Sequence, residues 1–179
     1  MRIREATAED ARGIAEVQVA SWQTTYRGLM PESYIASLSI DGRERSLARQ
    51  LGEPEIATFG YVAEDDSRGT PALIVGFALG GPRREGSADY DGELYAIYLL
   101  ADTQGHGLGR QLVRAVTQHL AREGITSMLV WVLEANPSRH FYEALGGVLL
   151  PERLSFVAAG TPLVEVSYGW RDLASLARE

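Results

Sequence analysis

Glu93-Leu-Tyr-Ala-Ile-Tyr-Leu-Leu-Ala-Asp-Thr-Gln-Gly-His-Gly-Leu-Gly-Arg110 decides the fold, because an apolar strand runs here into a glycine-rich turn that opens a helix. Gly105, Gly107 and Gly109 alternate, so no β-carbon stands between a phosphate and the backbone N–H groups. The first turn of the helix adds unpaired donors and the positive end of its dipole. An anion belongs there. The spacing is not G-x-G-x-x-G, since Arg110 stands where the third glycine would be, and it is not G-x-x-x-x-G-K-[ST]. Dinucleotide binding and nucleotide hydrolysis both lose ground.

Working outward, Leu108, Leu112, Val116 and Leu120 recur every fourth residue and stripe a helix that Gly124 stops. Ser127–Leu133 is continuously apolar, as a strand covered on both faces is, and Pro137–Leu145 reads as a short helix ended by Gly146. Leu154–Ala158 and Leu163–Tyr168 pair as a hairpin around Gly160-Thr-Pro162. Upstream, Arg2–Glu5 is a strand, and Thr7 with Asp10 forms a capping box for a helix through about Trp22 that turns Ile14, Val17 and Trp22 inward. Gly28 and Pro31 break the pattern before a short helix over Glu32–Leu38, and Asp41 is the expected N-cap of a helix to Leu51. Ile56–Ala63 and Leu73–Leu79 form an antiparallel pair, and Gly81–Gly92 is expected to be a mobile loop.

Residues 1–179 are the length of one α/β domain, enough to bury roughly two-thirds of the unfolded surface. Lys+Arg 17 against Asp+Glu 24 leaves a net charge of −7, which argues against nucleic acid as a partner and mildly favours a cationic substrate. Cysteine is absent, so disulfides and a thiol nucleophile are excluded, and the three histidines show no H-E-x-x-H spacing. No metal is expected. Without an N-terminal signal pattern or an apolar run of about 18 residues, no membrane contact and a cytoplasmic location are the expectations.

Gln104 through Gly107 to Gly109 spells Q-x-x-G-x-G, and Trp131-Val-Leu-Glu-Ala-Asn-Pro-Ser-Arg-His-Phe-Tyr-Glu-Ala-Leu-Gly146 follows one helix and one strand later. Together these two blocks resemble the signatures of the GNAT N-acetyltransferase superfamily. About residues 2–170 fit its element order, although only 93–146 carries motifs. The resemblance implies a mixed, mostly antiparallel sheet with helices on both faces and a splayed central strand pair. It further implies acetyl-CoA as co-substrate and direct attack by a primary amine, of a small molecule or a peptide, in a ternary complex. A non-catalytic acyl-CoA-binding regulatory module is the alternative. Oligomeric state is open, a homodimer included.

On that resemblance, backbone groups of Leu99 and Ala101 bond the pantetheine, while Gln104, Gly105, Gly107, Gly109 and Arg110 form the diphosphate turn. Tyr142 matches the proton donor to the departing thiolate, a role suited to a phenol with a pKa near 10. Asn136 matches a cofactor-side Asn or is an Asn-Pro turn former. Glu93, eleven residues before Gln104, matches a general base or is an exposed carboxylate at a strand entrance. Strict alternation puts Glu93, Tyr95, Ile97 and Leu99 on one face, so Tyr95 joins Tyr26 and Arg27 as an acceptor contact.

Overall fold

The computed structural model describes residues 1–53, 55–174 and 176; the last residues of the 1–179 domain fall outside the described residues. Seven strands, β1 (Arg2–Glu5), β2 (Phe59–Asp65), β3 (Leu73–Pro82), β4 (Gly92–Leu99), β5 (Met128–Leu133), β6 (Val148–Ala158) and β7 (Thr161–Trp170), build one sheet in the order β1-β2-β3-β4-β5-β7-β6. Only β4 and β5 run parallel; the other neighbours are antiparallel.

Alternation distributes the core over two faces. Val62, Phe77 and Leu79 point toward Ile14 and Val17 of α1 (Ala11–Thr25), while Leu47 comes from a later helix, Ile40–Gly52. Between these lies the short α2 (Glu32–Ala36), which makes Ile40–Gly52 α3. On the opposite face, Ala63, Ala78, Leu94 and Met128 receive the stripe Leu108, Leu112, Val116 and Leu120 of α4 (Leu108–Arg122). The short α5 (Arg139–Ala144) follows β5.

The splay arises in the centre. β4 and β5 share register only at Gly92↔Met128, Glu93↔Leu129 and Leu94↔Val130. On the other edge of β4 the pairing steps from Leu79↔Ala96 to Gly80↔Leu94, so Tyr95 is bulged. A bulge bends its strand. Beyond Tyr95, β4 leaves β5, whose Trp131, Val132 and Leu133 stay paired with β7. A cleft opens between them.

Several boundaries differ from the sequence reading for physical reasons. Thr7 and Asp10 do form their box, the Thr7 N–H donating to Asp10 Oδ2 at 2.8 Å, but a 3-10 turn (Ala8–Asp10) precedes α1. The N-cap of α3 is Ser39, whose Oγ accepts from the Gly42 N–H at 3.2 Å; Asp41 sits in the first turn and pairs with Arg12 at 2.6 Å. β3 continues to Pro82 because Gly80 and Gly81 are strand residues under close neighbours: a β-carbon at Gly80 would stand 2.9 Å from Val116 Cγ1. The connection 83–91 is tied down rather than loose. Its Arg83 N–H donates to the Asp91 carbonyl and its Arg83 Nε to the Tyr90 carbonyl, both at 2.7 Å, and Tyr90 is buried. β6 begins at Val148 rather than Leu154, with its register interrupted between Leu149 and Arg153, where Pro151 lacks a ladder donor.

Candidate active site

A cavity of about 540 Å³ follows the cleft, and Leu99, Gln104, Gly105, Gly107, Gly109, Arg110, Asn136 and Tyr142 are in its wall. Ala101 is exposed on the adjoining 3-10 turn (Ala101–Thr103) and is outside that wall. Gly105 and Gly107 have φ of 78° and 79°, and a β-carbon on either would meet nothing within 4 Å. The conformation is one that costs other residues roughly 1–2 kcal/mol. The N–H groups of Gly105, His106, Gly107, Leu108 and Gly109 meet no acceptor among the described residues, while the Gln111 N–H bonds back to the Gly107 carbonyl at 3.1 Å. Unpaired amides around an open concavity suit an anion. Gly109 has a packing part as well. Its β-carbon would stand 3.2 Å from the Phe141 ring and 3.5 Å from Leu99 Cδ1, so its hydrogen lets α4 close on α5 and β4.

Gln104 is a staple as well as a wall. Its Nε2 donates to the Leu99 carbonyl at 3.1 Å, and Ser21 Oγ reaches the same oxygen from α1 at 3.2 Å. Turn, strand and helix are thereby tied at one point.

Tyr142 is 7% exposed, packed edge-on against Phe141 and near Tyr168 and Trp170, and its hydroxyl has no hydrogen-bond partner among the described residues. Burial pushes its pKa well above the ordinary phenol value, so it stays protonated. Asn136 forms a turn and also lines the cavity. Its Oδ1 accepts from the Ser138 N–H at 2.9 Å, an Asx turn leading into α5, and its side chain borders the Tyr26 phenol in the cavity wall.

A second cavity of about 480 Å³ shares Tyr26, Tyr95, Tyr98 and Trp131 with the first. The Tyr26 and Tyr98 hydroxyls are 3.1 Å apart at this junction, and burial raises both pKa values. Tyr26 and Tyr95 line both cavities; Arg27 is exposed and lines neither. The Tyr95 bulge also changes the face pattern. Ala96 and Tyr98 join Glu93 in the second cavity, whereas Ile97 and Leu99 go with Leu94 to the α4 side.

Glu93 is not an exposed strand-entrance carboxylate, being 2% exposed. Its Oε2 accepts from the Arg84 N–H at 2.8 Å, and its Oε1 accepts from Arg84 Nε at 3.2 Å and from Nη2. The same guanidinium lies 3.9 Å from the Tyr95 ring centroid. Glu93 has its cationic partner, Arg84, in place.

Beside Arg84 and Glu85, two more charged residues of this cavity, Glu165 and Arg43, escaped the sequence reading. Glu165 of β7, opposite Leu133 and Leu154, is half-buried and has no hydrogen bond or ion pair among the described residues. Burial pushes its pKa up; the Arg84 charge opposes this, and Glu85 and Glu93 add to it. A signal did exist, a lone acid in the apolar run Leu163-Val-Glu-Val166. Arg43 of α3 directs Nε and Nη2 to one neutral oxygen, Gln18 Oε1, at 3.0 and 2.8 Å, and burial lowers its pKa. No periodicity marks it.

Residues 85–155 match the family described as FR47-like protein. Over 178 residues, 97% of this chain and 95% of the relative, the sequence is 41% identical to the uncharacterized N-acetyltransferase YuaI of Bacillus subtilis. The chain belongs to the GNAT N-acetyltransferase superfamily. A mycothiol acetyltransferase of Rhodococcus jostii is 32% identical over 109 residues, 58% of this chain and 34% of that relative. Among solved structures, the PaiA N-acetyltransferase of Thermoplasma acidophilum in complex with coenzyme A superposes with a TM-score of 0.68, at 21% identity over 95% of this chain and 100% of that one. YncA of Salmonella typhimurium, a putative acetyltransferase solved with acetyl-CoA, gives 0.67 at 22% identity over 97% and 94%. Both superpositions show the shared fold.

This GNAT chain is accordingly an acyltransferase whose strongest motif and most open backbone coincide. Gln104 to Gly109 spells the signature, and Gly105 to Gly109 within it expose the unpaired amides. No helix among the described residues is long and apolar enough to cross a membrane.

Proposed function

We propose that this GNAT N-acetyltransferase moves an acetyl group from acetyl-CoA to the primary amine of a small molecule or peptide, by direct attack in a ternary complex. The observation that carries this reading is the pair of adjoining cavities, one floored by free amides and the other lined by carboxylates and aromatic rings, meeting at Tyr26 and Tyr98. Acetyl-CoA, when bound, supplies the activated acyl group. Amides from Gly105 to Gly109, with Arg110 beside them in the wall, would hold its diphosphate, and Leu99 and Asn136 border the remainder of the cleft.

Two proton movements fall to this chain. Tyr142, kept neutral by burial, donates toward the leaving sulfur; the same dry surroundings make a thiolate more basic, so the high phenol pKa does not idle the donor. The amine must lose a proton. Glu93 was the expected acceptor, but its lone pairs are committed to Arg84, whereas Glu165 is unpaired and has a raised pKa, closer to a working base. Glu165, directly or through a water, is the better proton acceptor.

CoA release with an amine panel tests the reaction itself. Glu165→Gln is expected to lower turnover by about 10² near neutral pH, recovering partly at higher pH as free amine accumulates, while Glu93→Gln moves the profile less. A profile that shifts with Glu93→Gln and ignores Glu165→Gln returns the role to Glu93.

A further inference from the structure

Arg43 and Glu165 line one cavity from different elements, α3 and β7, without pairing with each other. The Arg43 guanidinium has five donors, of which two reach protein, both on a single neutral oxygen. No carboxylate among the described residues forms an ion pair with it. Of the three acids sharing its cavity, Glu93 is bound by Arg84, Glu85 is exposed, and Glu165, half-buried, stands unpaired. Trp22 and Tyr34 are in the wall with them, their ring centroids 6.1 Å apart. A cation withdrawn from water without an anion is costly, and so is an anion without a cation. One ligand with two opposite charges satisfies both.

We propose that the amine acceptor is an amino carboxylic acid whose carboxylate docks on Arg43 while its ammonium faces Glu165; this rests on the acetyl-transfer reading above. Recognition is charge-assisted at both ends, and the guanidinium fork suits a carboxylate in particular. A diamine meets Arg43 as a like charge, so polyamines are disfavoured. A cavity of about 480 Å³ accommodates a molecule of amino-acid size with an apolar side chain against the aromatic wall.

The test compares matched pairs that differ by the carboxylate: phenylalanine with phenethylamine, lysine with cadaverine, and 4-aminobutyrate with propylamine. CoA release is followed alongside calorimetric binding of acetyl-CoA. For the best acceptor, kcat/KM is expected to be about 10- to 100-fold higher for the carboxylated member, expressed chiefly in KM. Arg43→Gln should collapse that ratio toward one, and Arg43→Lys should restore part of it. The wild-type ratio decides even where a variant folds poorly. Equal or better transfer to the carboxylate-free partners overturns this inference and leaves amine acetylation standing. Failure to bind acetyl-CoA, or binding with transfer to no amine, overturns the acetyl-transfer reading and this inference together.

Discussion

The two cavities are built by different kinds of chemistry. The cofactor side is largely backbone: a short run from Leu99 to Arg110 turns at two positive-φ glycines and presents its own amides. The proposed acceptor side draws on polar and charged residues, with Gln18, Arg43, Arg84, Glu85, Glu93 and Glu165 arriving from separate stretches of the chain. A backbone site fixes its residue types because few residues fit its torsions and clearances. A side-chain site is free to vary wherever the scaffold presents a position. On the proposed reading, the first is shaped for one ligand chemistry and the second is where acceptor choice would be made.

The largest effect is expected in the first cavity, at Tyr142. Tyr142→Phe should lower turnover by about 10²–10⁴, the range for losing a positioned acid, while acetyl-CoA affinity stays within about twofold. Binding and rate must separate, since the ring that packs on Phe141 and Trp170 is retained. Turnover that stays at the wild-type value would make Tyr142 a packing residue and leave the cofactor side with cradle chemistry alone.

Next comes the cradle itself. Gly107→Val places a branched side chain at φ 79° on the open side of the turn, so acetyl-CoA affinity should fall by about 10² or more in calorimetry, with the protein still folded. Gly109 sharpens the contrast, because a side chain there meets Phe141 rather than open space. Unchanged affinity in Gly107→Val would move the anion site away from this turn.

These two sides were not equally legible in the sequence. Strand, glycine turn and apolar stripe stood in order from Glu93 to Leu120, and Tyr95, Leu99, Gln104, Gly105, Gly107, Gly109 and Arg110 from that run line the first cavity. What eluded reading was tertiary. The bulge at Tyr95 depends on pairing with β3, so period-2 alternation misplaced Ile97 and Leu99. Gly80 and Gly81 resembled loop residues because their reason for being small, Val116 and the neighbouring strands, lies far along the chain. Glu93 kept its position but gained Arg84, nine residues away, as a partner. Arg43 and Glu165 are 122 positions apart and share a cavity only after the sheet assembles.

The smallest expected effect tests whether Glu165 is held in readiness without a native partner. Burial raises its pKa in the folded state above the ordinary carboxylate value. At pH values below both the folded and unfolded pKa, each state carries the proton and the residue contributes nothing. As pH rises, the unfolded chain ionises first while the native state still retains its proton, so stability falls across the interval and the full cost applies above the folded pKa. Glu165→Gln removes that cost. The variant should therefore melt above wild type at pH 7–8 and level with it near pH 3.5, by something on the order of 1–2 °C, because a half-exposed carboxylate remains partly solvated. A gain in melting temperature accompanied by a loss of turnover is the signature of a group retained for chemistry rather than for the fold. If Glu165→Gln instead melts lower at neutral pH, the carboxylate has a stabilising partner in the native protein, and the contrast between a paired Glu93 and an unpaired Glu165 fails.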